Sequence, residues 1–176
     1  MYYRIYDAFR ERGYAQTSVW SFNRQPGNAY SSVTRDYYVG FGPGAATYNG
    51  TSFRFSTFSI PDYIAATRSR LPVALEMAVS PRMRKLFWLY WRLYETRVPK
   101  DGYQVAFGAE IERDFSYLIR LMRLARFCET EDGSGFVLNR RGAHWVHLAQ
   151  NYFALYYVNT IWSACMAQPW PSVVRL

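Results

Sequence analysis

Apolar positions recur along this chain with two different rhythms, and the change falls near residue 60. Tyr2, Ile5, Tyr6 and Phe9 share one helical face, with Arg4, Arg10 and Arg12 around the rest, so 2–12 is expected as a helix stopped at Gly13. Residues 14–22, YAQTSVWSF, alternate and are rich in β-formers, which predicts a strand. Residues 23–32 read as a loop by composition. Residues 35–42 read as a short strand running into a glycine loop, VGFGPGAATYNG. A second alternating strand is expected at 53–59, with Phe53 and Phe55 on one face.

Beyond residue 60 the period becomes helical. Pro61 opens a short helix over 60–70. Ser80 is the expected N-cap of a helix running to 97, with Pro81 at its first position and Met83, Leu86, Phe87, Tyr90, Leu93 and Tyr94 as its buried stripe. One or two turns over 101–108 close at Gly108. A strongly amphipathic helix follows at 110–127, its face set by Phe115, Leu118, Leu121, Met122 and Ala125. Residues 127–139 read as a hairpin turning at Asp132–Gly133, and 140–166 as one long helix ended by Pro169-Trp170-Pro171.

Helix, short helix, helix, hairpin, helix is the order of a winged-helix-like unit, an arrangement that often binds DNA. The net charge of +8 invites the same thought, but the cations are scattered and only two of them are Lys. Glu110, Glu112 and Asp114 open the would-be recognition helix, and Glu129, Glu131 and Asp132 sit on the would-be wing. Phosphates would be repelled by both, so nucleic acid is disfavoured as a partner. Arginine in place of lysine suits planar recognition of carboxylates, and a solvated basic surface is the plainer alternative.

Half of the 176 residues are hydrophobic and 19% are aromatic, enough for a real core and for lining a pocket around a flat ligand. Cys128 and Cys165 match no zinc or redox spacing, and both are expected to be reduced in a cytoplasmic protein. No signal-peptide pattern opens the chain, and no apolar run approaches the roughly 20 residues of a membrane span. His144 and His147 are spaced i, i+3, but no local side chain completes a metal site, so they read as hydrogen-bonded packing residues. There is no G-x-S-x-G elbow. The glycine loop has no Lys after Gly44, and Gly40-Phe41-Gly42-Pro43-Gly44 lacks the G-x-G-x-x-G spacing. That loop is either a tight strand-to-strand turn or a bare backbone offered to a ligand.

Gly13-Tyr14, Gln16 and Phe22-Asn23-Arg24, followed by the turn Gly40-Phe41-Gly42-Pro43-Gly44-Ala45, resemble a pattern in one family of radical S-adenosylmethionine proteins. The family is that of the oxygen-independent coproporphyrinogen III oxidases and haem chaperones, including an anaerobic haem-degrading branch. Residues 71–98 and 139–162 look like its closing helical domain, so the resemblance covers nearly the whole chain. It implies an α+β fold: residues 1–58 as the last helix and strands of an incomplete βα barrel, then 59–176 as a mainly helical, winged-helix-like domain. The intact family uses S-adenosylmethionine and a [4Fe–4S] cluster held by C-x-x-x-C-x-x-C, a motif that does not occur here.

By the same resemblance the chain is the C-terminal part of such a protein, fragment or subunit, and not catalytically competent alone. Its expected partners are a tetrapyrrole, porphyrinogen or haem, and the missing N-terminal barrel portion. Phe41, Gly42, Gly44 and Ala45 would contact the cofactor, Gln16 and Phe22 the substrate, and Arg24 and Arg35 its propionates. A stand-alone haem- or porphyrin-binding module and a winged-helix module for protein or nucleic acid are the alternatives. An exposed barrel edge would favour association.

Overall fold

The computed structural model describes residues 1–24, 36–172 and 174. In chain order its elements are α1 (Tyr2–Glu11), β1 (Ala15–Gln16), β2 (Phe22–Asn23), β3 (Ala46–Tyr48), β4 (Ser52–Ser56), α2 (Ile60–Ala66) and β5 (Val73–Ala78). Then come α3 (Pro81–Tyr94), β6 (Arg97–Pro99), α4 (Lys100–Phe107), α5 (Ile111–Leu124), β7 (Cys128–Glu131), β8 (Gly135–Leu138) and α6 (Arg140–Ala167). The chain forms two units, each from two stretches: Met1–Thr34 with Lys85–Gln150, and Arg35–Arg84 with Asn151–Leu176. The boundary expected at residue 58 falls inside the second.

In the first unit, α1 ends as its pattern indicates: Gly13, at φ +77, turns the chain and sends its N–H to Arg10 O. The single strand expected over 14–22 is instead a small hairpin. Ala15 pairs with Asn23 and Gln16 with Phe22, while Thr17 and Ser18 both donate N–H to Ser21 O. Alternation hid this turn because its tip, Val19, is fully buried and gives its N–H to Tyr94 O.

Ser80 caps α3 as expected, its Oγ accepting from Met83 N at 3.2 Å. The buried face of α3, however, is Trp88, Leu89 and Leu93, and Met83 and Leu86 are exposed. Those three join Val98, Tyr103, Ile111, Ile119, Met122, Phe136 and Leu138 in one core. Each fully buried side chain of this kind contributes about 1.5–3 kcal/mol. On α5, Met122 is buried and Phe115 and Leu118 pack against the core, but Leu121 faces solvent.

The expected hairpin is β7–β8, with Asp132 Oδ1 accepting from Ser134 N and Gly135 N at its turn. β6, not foreseen in the sequence, pairs with β8 and gives a three-stranded sheet of order β6-β8-β7. Gly135 sits where this pairing is tightest: a Cβ there would lie 2.3 Å from Val98 O.

The second unit is built on an antiparallel meander, β3-β4-β5. β4 is the expected 53–59 strand shifted toward its N-terminal end. β5 was not expected, since Ala74, Leu75, Glu76, Met77 and Ala78 are mostly helix formers. Pairing with β4 overrides that preference. α2 starts at Ser59, whose hydroxyl hydrogen-bonds the Asp62 carboxylate, with Pro61 in its first turn. Residues 151–167 of α6 place Trp162 against Phe58 at 5.9 Å between ring centres. No helix among the described residues is long and apolar enough to cross a membrane.

Candidate functional site

The glycine loop is held inside the second unit by its own amides. Tyr38 and Tyr48 bridge across its base, exchanging N–H···O bonds of 2.9 Å. Gly40 N donates to Thr47 Oγ1 at 3.0 Å, Gly42 N to the Tyr63 hydroxyl at 3.1 Å and Gly44 N to Thr57 O at 2.9 Å. Ala45 N closes back on Gly42 O. These four donors are spent within the unit, so they form no anion nest of the P-loop kind.

The glycines answer to this closure. Gly42 (φ +104) and Gly44 (φ +69) adopt backbone that L-residues avoid. A Cβ on Gly40 would meet Ala46 O at 2.2 Å, and one on Gly44 would meet the Phe58 ring at 3.2 Å. Gly42 differs, for a Cβ there would have nothing within 4 Å. The loop thus presents a bare backbone edge at Gly42 and an apolar finger, Phe41, which is 87% exposed; Ala45 is half-buried beneath them.

Around the loop base Tyr48 is buried and Tyr38 half-buried, while Tyr37 faces solvent. Burial, with Tyr157 and Tyr48 behind it, pushes Tyr38 up to about 12, so its hydroxyl stays protonated at neutral pH. Tyr37 lies parallel to Tyr48 at 6.2 Å and accepts from the Arg84 guanidinium at 2.9 Å.

Gln16, Phe22 and Arg24 lie in the other unit, on the β1–β2 ribbon. Gln16 and Phe22 are register partners. The Gln16 amide donates to the Tyr2 hydroxyl at 2.9 Å and to Val19 O at 3.2 Å, which ties the ribbon to α1. Phe22 stacks on Phe9 at 4.8 Å and meets Tyr6 edge-on. Arg24 is exposed, with its guanidinium 5.0 Å from the Tyr14 ring centre. Arg35 lies outside the described residues.

Beside that ribbon is an imidazole–aromatic cluster. The Trp20 indole donates to His147 Nε2 at 2.9 Å, and His144 stacks on Tyr2 at 5.0 Å. The i, i+3 spacing on an aromatic helix had indicated hydrogen-bonded histidines; their partners on α1 and the ribbon carry no local signal. Burial, then His144, holds His147 below its ordinary value. Among the described residues no group of three or more His, Cys, Asp or Glu could hold a metal ion. Cys128 and Cys165 fall in different units, and burial pushes both thiols up. These residues do not fit a thiolate-held [4Fe–4S] cluster.

No family model and no curated protein matches this sequence. The fold is similar to that of a solved structure, the radical SAM enzyme coproporphyrinogen III oxidase from Escherichia coli. The TM-score is 0.51 at 13% identity, over 85% of this chain and 33% of the other. The chain therefore spans about a third of that enzyme's length. At this identity the likeness is one of fold.

Proposed function

We propose that this stretch corresponds to the C-terminal part of a radical S-adenosylmethionine protein that handles tetrapyrroles, coproporphyrinogen or haem, in the cytoplasm. The fold likeness to coproporphyrinogen III oxidase carries this reading. It is supported by the glycine turn, which offers an apolar tip and an open backbone edge at the positions where the resemblance puts cofactor contact. Phe41, Gly42, Gly44 and Ala45 would pack on the cofactor through apolar contact and close approach. Gln16 and Phe22, which lie in the other unit, would contact the substrate, the Gln16 amide being held by its bonds to Tyr2 and Val19. Arg24 and Arg35 would meet propionates, the planar fork matching a carboxylate. Cluster ligands would come from outside this stretch, from the remaining barrel portion, and no chemical step is assigned to these residues alone.

Titration with haem and with coproporphyrin III tests the reading. A saturable Soret shift, weakened by Arg24→Ala, is expected. Absence of any spectral change at concentrations where free porphyrin stays monomeric would remove the tetrapyrrole.

The sheet order β6-β8-β7 with α4 and α5 favours a second reading, a winged-helix module for protein or nucleic acid. The acidic groups that argued against phosphate are partly neutralised: Glu112 pairs with Lys100, Asp114 with Lys85 and Glu131 with Arg123. The outer face of α5 shows Arg113, Tyr117, Arg120 and Leu124. Salt-dependent binding to random duplex would favour nucleic acid, and no binding at low salt would leave a protein partner.

A further inference from the structure

Within the second unit the outward face of α6 is apolar and uncharged. From Asn151 to Ala167 the helix contains no Asp, Glu, Lys or Arg. Burial settles its inward face: Ile161 and Cys165 are buried, and Ala154, Tyr157 and Val158 are half-buried. On the opposite side stand Tyr152 (77% exposed), Leu155 (53%), Tyr156 (68%), Trp162 (47%) and Met166 (71%). Single exposed apolar residues are ordinary, but a helix face left to water normally carries charged and polar side chains. A continuous stripe of aromatic and aliphatic groups marks a surface that meets something.

The spacing says what kind of surface. Tyr152, Leu155, Asn159, Trp162 and Met166 follow one another at intervals of three, four, three and four residues, the a/d repeat of a helix that lies along another helix. Asn159, also exposed, is the central one of the five. A lone Asn at an a position fixes register in such pairs. Its amide both donates and accepts, so it can bond to an identical amide.

Charge and area select the occupant. A helix lying in a membrane interface carries Lys or Arg on its polar side, and this stretch has neither. A strongly charged partner would find nothing here to steer it. Two copies of this chain, each with a net charge of +8, repel one another and approach most easily through a stripe that carries no charge. With a large side chain presenting on the order of 200 Å² when free, the five exposed apolar residues offer about 600 Å² per copy. A pair would bury about 1,200 Å², the size at which specific interfaces begin.

We propose that residues 152–166 form a self-association seam, through which two copies of the chain pair about a twofold axis with their Asn159 amides meeting. The pairing needs no tetrapyrrole and stands apart from that reading.

Sedimentation velocity of the chain over a dilution series, without porphyrin, tests it. A monomer–dimer equilibrium is expected, tightening as salt rises from about 50 to about 500 mM because repulsion between the copies is screened. Leu155→Glu and Tyr152→Glu should each weaken the dimer about tenfold or more. Phe153→Glu, on the same helix and 71% exposed but one position off the seam, should change it by less than about threefold. Circular dichroism identifies folded variants, and Tyr152→Glu, at the more exposed site, decides if Leu155→Glu does not fold. A chain monomeric at every concentration would overturn the proposal, and its flotation with phosphatidylserine vesicles would give the stripe to a membrane instead. A dimer indifferent to both seam variants, or weakened equally by Phe153→Glu, would overturn it too.

Discussion

The Trp20 indole N–H donates to His147 Nε2 at 2.9 Å, a bond that only a neutral imidazole can receive. Burial and the neighbouring His144 hold His147 below its ordinary 6.5. As pH falls through 6.5 the unfolded chain takes up the proton first, so stability present above that value is lost progressively down to the folded value. Glu76, Glu112, Asp114, Glu131 and Asp132 are all pulled below their ordinary carboxylate values and titrate later. Urea midpoints should therefore fall between about pH 7.5 and about pH 5.5. In His147→Gln the slope should flatten; an unchanged slope would assign the loss to other groups.

Gly42 N donates to the Tyr63 hydroxyl, and Gly44 N to Thr57 O, so the loop's shape is set by α2 and by the end of β4. Gly44→Ala combines φ +69 with a contact at the Phe58 ring and should cost about 1–3 kcal/mol. Gly42→Ala, with open space around it, should cost only the backbone strain, about 1–2 kcal/mol. Tyr63→Phe should cost about 1 kcal/mol, and less in a chain already carrying Gly42→Ala. Denaturant unfolding of the four chains checks the ordering.

Phe41 is almost fully exposed, so it is a poor candidate for stability and a good one for binding. Phe41→Ser should leave the unfolding free energy within about 0.5 kcal/mol of the parent. Haem or coproporphyrin affinity should fall roughly tenfold, the equivalent of one lost apolar contact of about 1.4 kcal/mol. Equal affinity in the two chains would take Phe41 out of the proposed site.

The longer helices were legible in the sequence because their faces repeat over ten residues or more, and Gly13, Ser80 and, for the short α4, Gly108 marked helix ends. β5 stayed hidden because its residues favour helix and its partner strand lies some twenty positions away. The 14–22 segment misled because alternation does not reveal that Ser18 and Ser21 close a turn. For the glycine loop, spacing and the missing Lys excluded a phosphate cradle. What it could not show is that Tyr63 and Thr57, distant in sequence, consume the amides. The contacts of α6 with α3 were least legible of all, since Gln150 and His147 look like ordinary helix-face residues until they reach Tyr90 O and the Tyr94 ring.

Gly135 and Gly133 stand two residues apart in one hairpin and should answer very differently to alanine. At Gly135 the new Cβ would fall 2.3 Å from Val98 O and 3.1 Å from Pro99 Cα, both backbone atoms of β6, so no side-chain motion relieves the clash. The β6–β8 pairing would have to open, exposing Val98 and Phe136, which are buried in the core. Loss of about 3 kcal/mol or more is expected, on the scale of the largest single-site effects. At Gly133 a Cβ would have nothing within 4 Å, so Gly133→Ala should stay within about 1 kcal/mol of the parent. Hydrogen exchange separates local from global failure. If Gly135→Ala frees only the Leu138 and Val98 amides while α5 stays protected, the sheet opens without the core. If α5 exchanges with them, β6 is what holds the core closed.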